Sequence, residues 1–138
     1  MNRIIYTTLS LLITCILSAQ VTYVDQGAGG NNDGTSWMNA YNDLNEALAN
    51  TASGEIWVAE GTYHTGTDTS AVFHVGASLA IYGGFAGTEN SIEDRDLSQH
   101  ETTLSADLGS NDNGDFLDAS RDDNSSHVLY VDSLLTEP

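Results

Sequence analysis

The chain has 138 residues, a length that allows a single domain, and it carries 20 acidic residues against three arginines and no lysine. Its formal charge of −17 argues against nucleic-acid binding and against binding to an anionic membrane surface, because both depend on cationic side chains. The same charge favours either cation binding or simple solubility outside the cell.

The first twenty residues differ from the rest of the chain. A short start with Arg3 leads into an apolar run over 4–17, and small residues follow up to Ala19. This pattern is typical of a secretory signal peptide, which we place at 1–19 with cleavage after Ala19. The single cysteine, Cys15, lies inside it, so the secreted part has no thiol for disulfides or zinc. We expect a secreted protein that is extracellular or associated with the outer membrane.

The next segment passes from a strand pattern to a helical one. Residues 21–25 alternate as a first strand, and a loop rich in Gly, Asn and Asp follows over 26–35. The apolar residues after it recur at helical spacing, which predicts an amphipathic helix over 36–50 that Thr35 or Ser36 caps. We expect this helix to cover the end of the sheet that follows, with an ordinary packing helix of an α+β domain as the alternative. The apolar stripe comprises Trp37, Ala40, Tyr41, Leu44, Ala47 and Leu48.

Four short strand-like runs then recur at near-constant spacing, at 56–59, 79–82, 102–105 and 127–130. Their first residues differ by 23 (79 − 56), 23 (102 − 79) and 25 (127 − 102) positions. A repeat of this length indicates a solenoid in which each coil adds one strand to a parallel stack. A further strand is predicted at 72–75 on another side of the same coil, and paired glycines after the second run predict a sharp corner.

Several stretches resemble the N-terminal portion of secreted bacterial right-handed parallel β-helix proteins of the pectate-lyase-like and polymorphic outer-membrane-protein-like kind. The resemblance implies an all-β fold, a right-handed parallel β-helix whose N-terminal end is capped by the amphipathic helix. It implies little about chemistry, because this family includes adhesins, sugar-binding surfaces and some polysaccharide lyases and hydrolases. The stretches are NDGTSW at 32–37, Leu44 with Ala47 and Leu48, GEIWVAEGTY at 54–63, YGGFAGTE at 82–89, RD at 95–96, TLSAD at 103–107 and NSSHV at 124–128.

Members of this family continue for many more coils than this chain contains. We therefore expect residues 20–138 to be the cap and first coils of a longer β-helix, in truncated form. A solenoid without its last coil exposes an apolar end. The resemblance thus predicts self-association through the uncapped C-terminal end.

The polar loop over 106–126 carries the candidate metal ligands. Ca²⁺ takes six to eight oxygen ligands, and a loop of alternating Asp and Asn with glycine supplies several of them. The loop does not follow the EF-hand pattern, since a start at Gly109 lacks the first carboxylate and places Ser120 at the twelfth position. A calcium site and a solvated flexible loop therefore both stay open. The candidate calcium ligands are Asp107, Asn111, Asp112, Asn113, Asp115 and Asp118.

We assign no catalytic residue from the sequence. The neighbours Asp122 and Asp123 would face opposite sides of a strand, which separates the two carboxylates that glycoside hydrolysis requires. The first hypothesis is a non-enzymatic cell-surface protein for adhesion or carbohydrate contact, with glycans or other surface proteins as partners. The alternative is the N-terminal, non-catalytic part of a polysaccharide lyase or glycoside hydrolase. We expect neither nucleic acid as a partner nor a transmembrane span.

Overall fold

The computed structural model describes residues 20–115 and 117–132, which form short strands joined by polar loops. The signal peptide expected at 1–19 lies outside these residues. None of the helices in the described part has the length and apolar character needed to cross a membrane. The strands are β1 (Val21–Val24), β2 (Gly54–Ala59), β3 (Gly61–His64), β4 (Phe73–Val75), β5 (Leu79–Phe85), β6 (Thr102–Ser105) and β7 (Leu129–Val131). Helix α1 is Leu44–Asn50, and 3₁₀ turns lie at Ile92–Asp94 and Ala119–Arg121.

The named strands all pair in parallel, and the pairs form three sheets. The first sheet has the order β1-β2-β5, the second contains β3 and β6, and the third contains β4 and β7. From β2 onward the chain therefore enters the first, second and third sheets in turn, and then the same three again. Parallel neighbours need long crossover connections. From β2 onward each crossover consists of the strands and loops of the other two sheets, whereas the crossover from β1 to β2 contains α1.

The near-constant spacing of the four runs is not the spacing of stacked strands, so the prediction that they form one stack is wrong. The second run does pair with the first, since β5 lies beside β2 with an offset of 25 (80 − 55). However, β6 pairs with β3 at an offset of 41 (102 − 61), and β7 pairs with β4 at an offset of 56 (129 − 73). The strand at 72–75 does lie in a different sheet from β2, as expected. The four runs start at near-constant intervals along the chain. Because the loops between paired strands differ in length, the third and fourth runs nevertheless lie in different sheets from the first two.

The helix is shorter than the predicted 36–50, and its predicted start is wrong. It begins at Leu44, and its N-cap is Asp43 rather than Thr35 or Ser36. The Asp43 carboxylate accepts a hydrogen bond from the backbone N–H two residues later at 2.8 Å. This satisfies one of the N–H groups that a helix start leaves without an intrahelical partner.

The residues before α1 use their backbone groups to hold β1 instead of forming a helix. Tyr41 donates its N–H to the Tyr23 carbonyl at 2.9 Å and accepts from the N–H of Asp25 at 2.9 Å. The Tyr23 N–H in turn donates to the Gly34 carbonyl at 3.0 Å. Gly34 has a φ of +71°, and a Cβ there would lie 2.6 Å from the Tyr41 ring. A helix through this segment would withdraw these groups from β1, so helical spacing of apolar residues does not produce one here.

The hydrophobic core lies among the inward faces of the three sheets and the buried side of α1. Side chains alternate across a strand, so Val24 and Val58 point inward while Tyr23 and Trp57 point to the outer face of the first sheet. Helix α1 packs against β1 and β4. The core comprises Val24, Leu44, Ala47, Leu48, Ile56, Val58, Tyr63, Phe73 and Val75.

The glycine pair at 83–84 lies within β5, so the chain does not turn a corner after Tyr82, but the register with β2 shifts by one residue here and Gly84 has a φ of +92°. Gly83 lies against β6, where a Cβ would be 2.6 Å from the Cβ of Thr102. The Gly84 N–H donates to the Thr102 hydroxyl at 3.1 Å, and this hydroxyl donates to the Ala59 carbonyl at 3.2 Å. The glycines therefore allow the first and second sheets to approach closely.

Candidate functional site

The predicted calcium ligands lie in the loop that leads from β6 to the second 3₁₀ turn. Asp107 accepts hydrogen bonds from the N–H groups of Asn111 at 3.3 Å and Asp112 at 3.2 Å. Desolvation alone would raise the pKa of Asp107, but these backbone hydrogen bonds hold that pKa below its usual value. The carboxylate of Asp107 is thus kept ionised, with its oxygens directed at the backbone of its own loop.

Asp112 is held by side chains from the end of the loop. Its Oδ2 lies 3.6 Å from the Nη1 of Arg121 and accepts a hydrogen bond from the Asn124 amide at 3.0 Å. Two nearby oxygens, Asp123 Oδ1 and Asn124 Oδ1, are buried without a hydrogen-bond partner among the described residues. The arginine balances part of the local negative charge, whereas the two buried oxygens retain the capacity to accept.

Three of the other predicted ligands, Asn113, Asp115 and Asp118, each accept a hydrogen bond from the backbone N–H two residues later, whereas Asn111 donates its N–H to Asp107. The Asn113 side chain accepts from the N–H of Asp115 at 2.9 Å, and the Asp118 carboxylate accepts from the N–H of Ser120 at 2.8 Å. The hydrogen bonds from Ser120 and from the Asn113 side chain lower the pKa of Asp118. Within residues 20–115 and 117–132, no three His, Cys, Asp or Glu side chains form a group that could hold a metal ion. Calcium binding by this loop stays a prediction.

The outer face of the third sheet presents an aromatic pair to solvent. In β4, His74 lies on the outer side between the buried Phe73 and Val75. Tyr130 of β7 is the register partner of His74, and their rings stack with centroids 5.1 Å apart at 24°. The His74 Nε2 also lies 3.5 Å from the carboxylate of Asp132. Tyr130 is 55% exposed, so its ring is supported by a neighbour and still open to water.

A groove of about 350 Å³ lies beside Tyr130. Its walls are joined by hydrogen bonds, because the Ser126 N–H donates to the Thr69 carbonyl at 3.2 Å and the Ser125 hydroxyl donates to the Ala71 carbonyl. Among the described residues, the lining contains no arginine, aspartate or glutamate. The lining residues are Thr69, Ser70, Ala71, Val72, Ser125, Ser126, His127, Leu129 and Tyr130.

This combination of groups suits an uncharged, hydroxyl-rich ligand. An aromatic ring offers an apolar face to the C–H groups of a sugar ring, and hydroxyl side chains both donate and accept hydrogen bonds. A turn centred on Asp68 fixes one wall, since its carboxylate accepts from the N–H and from the hydroxyl of Ser70, each at 2.7 Å. The groove is therefore formed in advance, which lowers the entropic cost of binding.

The outer face of the first sheet carries more aromatic rings, but they are covered. Trp57 stacks on Phe85 with centroids 4.9 Å apart, and Trp57 is only 6% exposed. Trp37, which we expected on the covering face of the helix, lies here instead, 4.8 Å from the Tyr23 ring. Its indole N–H donates to the Glu89 carbonyl at 2.8 Å. This cluster fastens loops to the sheet, so the third sheet offers the more accessible aromatic surface.

The sequence reasoning missed His74 and Tyr130. The signal was present in the alternation of Phe73-His74-Val75 and Leu129-Tyr130-Val131, in which the middle residue is the outward one. What the sequence did not provide was the pairing of two strands that lie 56 positions apart (129 − 73).

Comparison of the chain with protein-family models, with curated proteins and with solved structures finds no match.

Proposed function

We propose that this chain is the beginning of a secreted, cell-surface, right-handed parallel β-helix protein that contacts carbohydrate and is not an enzyme. Three parallel sheets, entered in turn by successive strands, support the fold. The packing of α1 against β1 and β4 supports its role as a cap. The stretches at 32–37 and 54–63 add the resemblance to secreted β-helix proteins.

The observation that carries the proposed contact with carbohydrate is the exposed Tyr130 ring beside a preformed, largely apolar groove whose lining includes serine and threonine residues. Carbohydrate sites need an apolar ring face together with a few well-placed polar groups. The stacked His74 ring keeps Tyr130 in position, so binding does not have to order this side chain.

The negative charge of the protein favours neutral glycans over acidic glycans as ligands. After loss of the predicted signal peptide, two arginines face 20 acidic residues, a formal charge of −18. A polyuronate would be repelled by this field, and none of the described residues that line the groove is an arginine that could bind its carboxylates. The proposed ligand is therefore a neutral polysaccharide on a cell surface, and nucleic acid is an equally poor partner.

The test is calorimetric titration of the protein with a neutral xylan oligosaccharide and with an oligogalacturonate of equal length. We expect saturable heat with the neutral sugar and none with the uronate. The Tyr130→Ala variant should lose the heat, whereas Tyr82→Ala, which removes an outward tyrosine of the first sheet, should keep it. Binding of the uronate, or unchanged binding by Tyr130→Ala, would contradict the proposal.

The calcium prediction is tested separately by titration with CaCl₂ and by thermal melting. We expect heat and a higher melting temperature if the loop over 106–126 binds the ion, because a ligand of the native state stabilises it. The variant Asp107→Asn should weaken both effects, whereas Asp33→Asn, in a different loop, should not. The absence of heat together with an unchanged melting temperature would contradict calcium binding by this loop.

A further inference from the structure

The loop over 106–126 contains the one Asn-Gly pair of the sequence, Asn113-Gly114. Such a pair can rearrange without an enzyme, because glycine has no side chain to keep its own nitrogen away from the preceding amide. Both residues are exposed, and Gly114 has a φ of +84°. Apart from its chain neighbours, no described residue has an atom within 4 Å of the position that a Cβ of Gly114 would occupy. The pair is therefore open to water and has room to react.

The local turn brings the reacting atoms together. The Oδ1 of Asn113 accepts a hydrogen bond from the N–H of Asp115 at 2.9 Å. This bond closes a ring of atoms that contains both the Asn113 Cγ and the Gly114 nitrogen. The donated N–H also points at the oxygen on which negative charge develops when Cγ is attacked. Within residues 20–115 and 117–132, no hydrogen bond holds the Gly114 N–H, so this nitrogen is available to attack.

The related pair Asp33-Gly34 is held by the fold. Gly34 is buried, and its N–H donates to the Asn39 carbonyl at 2.8 Å. The hydroxyl and the N–H of Thr35 donate to the Asp33 carboxylate at 2.6 and 3.1 Å, and these hydrogen bonds lower the pKa of Asp33. An ionised carboxylate resists attack by a nitrogen, and the nitrogen of Gly34 is engaged elsewhere. The fold thus protects this pair and leaves Asn113-Gly114 reactive.

We propose that Asn113 is a site of spontaneous deamidation. The Gly114 nitrogen bonds to the Asn113 Cγ, the bond from Cγ to Nδ2 breaks, and NH₃ leaves with the proton of the Gly114 nitrogen. Water then opens the cyclic imide at one of the two carbonyl carbons bonded to that nitrogen. Opening at Cγ gives aspartate, and opening at the backbone carbonyl gives isoaspartate, in which the backbone runs through Cγ. Water does not restore the amide, so the change runs in one direction. This inference depends neither on carbohydrate binding nor on calcium.

The reaction removes an amide that connects two turns. The pKa of Asp118 is lowered by hydrogen bonds from Ser120 and from the Asn113 side chain. Asp118 is also the N-cap of the 3₁₀ turn Ala119–Arg121, where its carboxylate accepts from the Ser120 N–H at 2.8 Å. A carboxylate in place of the amide has no N–H group to donate, and it repels the charge of Asp118. Deamidation therefore adds one negative charge to the loop and loosens this turn.

Peptide mapping by mass spectrometry tests the site in the full purified protein. The protein is kept at about pH 8, since attack requires the Gly114 nitrogen to lose its proton, and is sampled over weeks. We expect a gain of about 1 Da at Asn113, from the exchange of NH₃ for water, with isoaspartate identified by electron-transfer fragmentation. Asn111 is the internal control, because it is also exposed in this loop but precedes Asp112. It should keep its mass.

A parallel sample unfolded in urea separates the effect of the fold from that of the sequence. In urea both glycine-containing pairs should form isoaspartate, whereas in the native protein only Asn113-Gly114 should do so. Native protein that keeps its mass at Asn113 would overturn the proposal, as would equal deamidation at Asn111. Isoaspartate at Asp33 in the native protein at the same rate would contradict the selectivity that the fold provides.

Two variants with equal added charge test the effect on the turn. Asn113→Asp reproduces one product of the reaction, and Asn111→Asp places the same charge two residues earlier. Hydrogen exchange should show a loss of protection at the Ser120 amide in Asn113→Asp and no loss in Asn111→Asp, because only the first removes the amide that bonds to Asp118. Equal protection at Ser120 in both variants would overturn the link between deamidation and the turn.

Discussion

At the residue scale, Glu89 organises the loop that covers the first sheet. Its carboxylate accepts hydrogen bonds from the N–H groups of three residues, Ala86 at 2.6 Å, Gly87 at 3.1 Å and Thr88 at 2.8 Å. Desolvation alone would raise the pKa of Glu89, but the backbone hydrogen bonds outweigh it and lower that pKa. Its backbone carbonyl also holds the Trp37 indole. One charged residue thus fixes both the loop and the aromatic cluster.

We expect Glu89→Gln to destabilise the protein by about 1–2 kcal/mol, because a neutral amide oxygen is a weaker acceptor for the three N–H groups. Glu101→Gln, at an exposed position, is the control and should change stability little. Urea unfolding measures both.

A carboxyl group with a lowered native pKa stabilises the fold above its unfolded pKa, and this stabilisation is lost as the pH falls through the native pKa. The difference between wild type and Glu89→Gln should therefore shrink in acid, and a constant difference would contradict this account.

His100 provides a second pH-dependent contact. Its Nδ1 lies 2.9 Å from the Glu60 carboxylate. This contact joins the loop after β5 to the turn between β2 and β3. This hydrogen bond raises the pKa of His100, and the charges of Glu60, Glu89 and Asp96 act in the same direction. A histidine with a raised native pKa stabilises below its unfolded pKa, and the stabilisation disappears as the pH rises through the native pKa.

We expect His100→Gln to lower the melting temperature at about pH 5.5 and to have a smaller effect at about pH 8.5. His127→Gln removes another exposed histidine and serves as the control. A deficit of His100→Gln that grows with pH would show that the sign of this coupling is wrong.

At the element scale, α1 depends on its surroundings. It contains seven residues, too few for a helix that is stable alone, so its stability comes from the buried Leu44, Ala47 and Leu48 and from the Asp43 cap. The sequence indicated the apolar face but not the start. The period of apolar residues continues back to Trp37, whereas the backbone groups of that segment bond with β1. The spacing of apolar residues indicates which side chains are buried. It does not indicate which backbone groups form hydrogen bonds with a strand instead of within a helix.

We expect Asp43→Ala to destabilise the protein by about 1 kcal/mol through loss of the N-cap, while Asp43→Asn should cost much less because asparagine caps equally well. Chemical denaturation followed by circular dichroism measures both variants. If the asparagine variant loses as much stability as the alanine variant, the carboxylate acts through its charge and not as a cap.

At the scale of the whole molecule, strand positions followed from the sequence but strand partners did not. The predicted runs coincide with β6, whereas β2 starts two residues before its run, β5 extends three residues past its run, and β7 starts two residues after its run. Partners depend on loop lengths, and the offsets of 25 (80 − 55), 41 (102 − 61) and 56 (129 − 73) differ because the intervening loops differ. For the same reason, the sequence did not show that His74 and Tyr130 are neighbours across two strands. The acidic loop was found by composition, which does not show that Arg121 and backbone groups bind its carboxylates.

Paired cysteines test most directly whether the chain passes through three parallel sheets with these partners. Thr62 and Thr103 are register neighbours in the second sheet, whereas a uniform stack with a period of 23 (103 − 80) would place Ala80 beside Thr103. Neighbouring strand positions have the separation that a disulfide requires. After oxidation, mass spectrometry should find a disulfide in the Thr62→Cys/Thr103→Cys variant and free thiols in Ala80→Cys/Thr103→Cys. A disulfide in the second variant and none in the first would contradict the three-sheet arrangement.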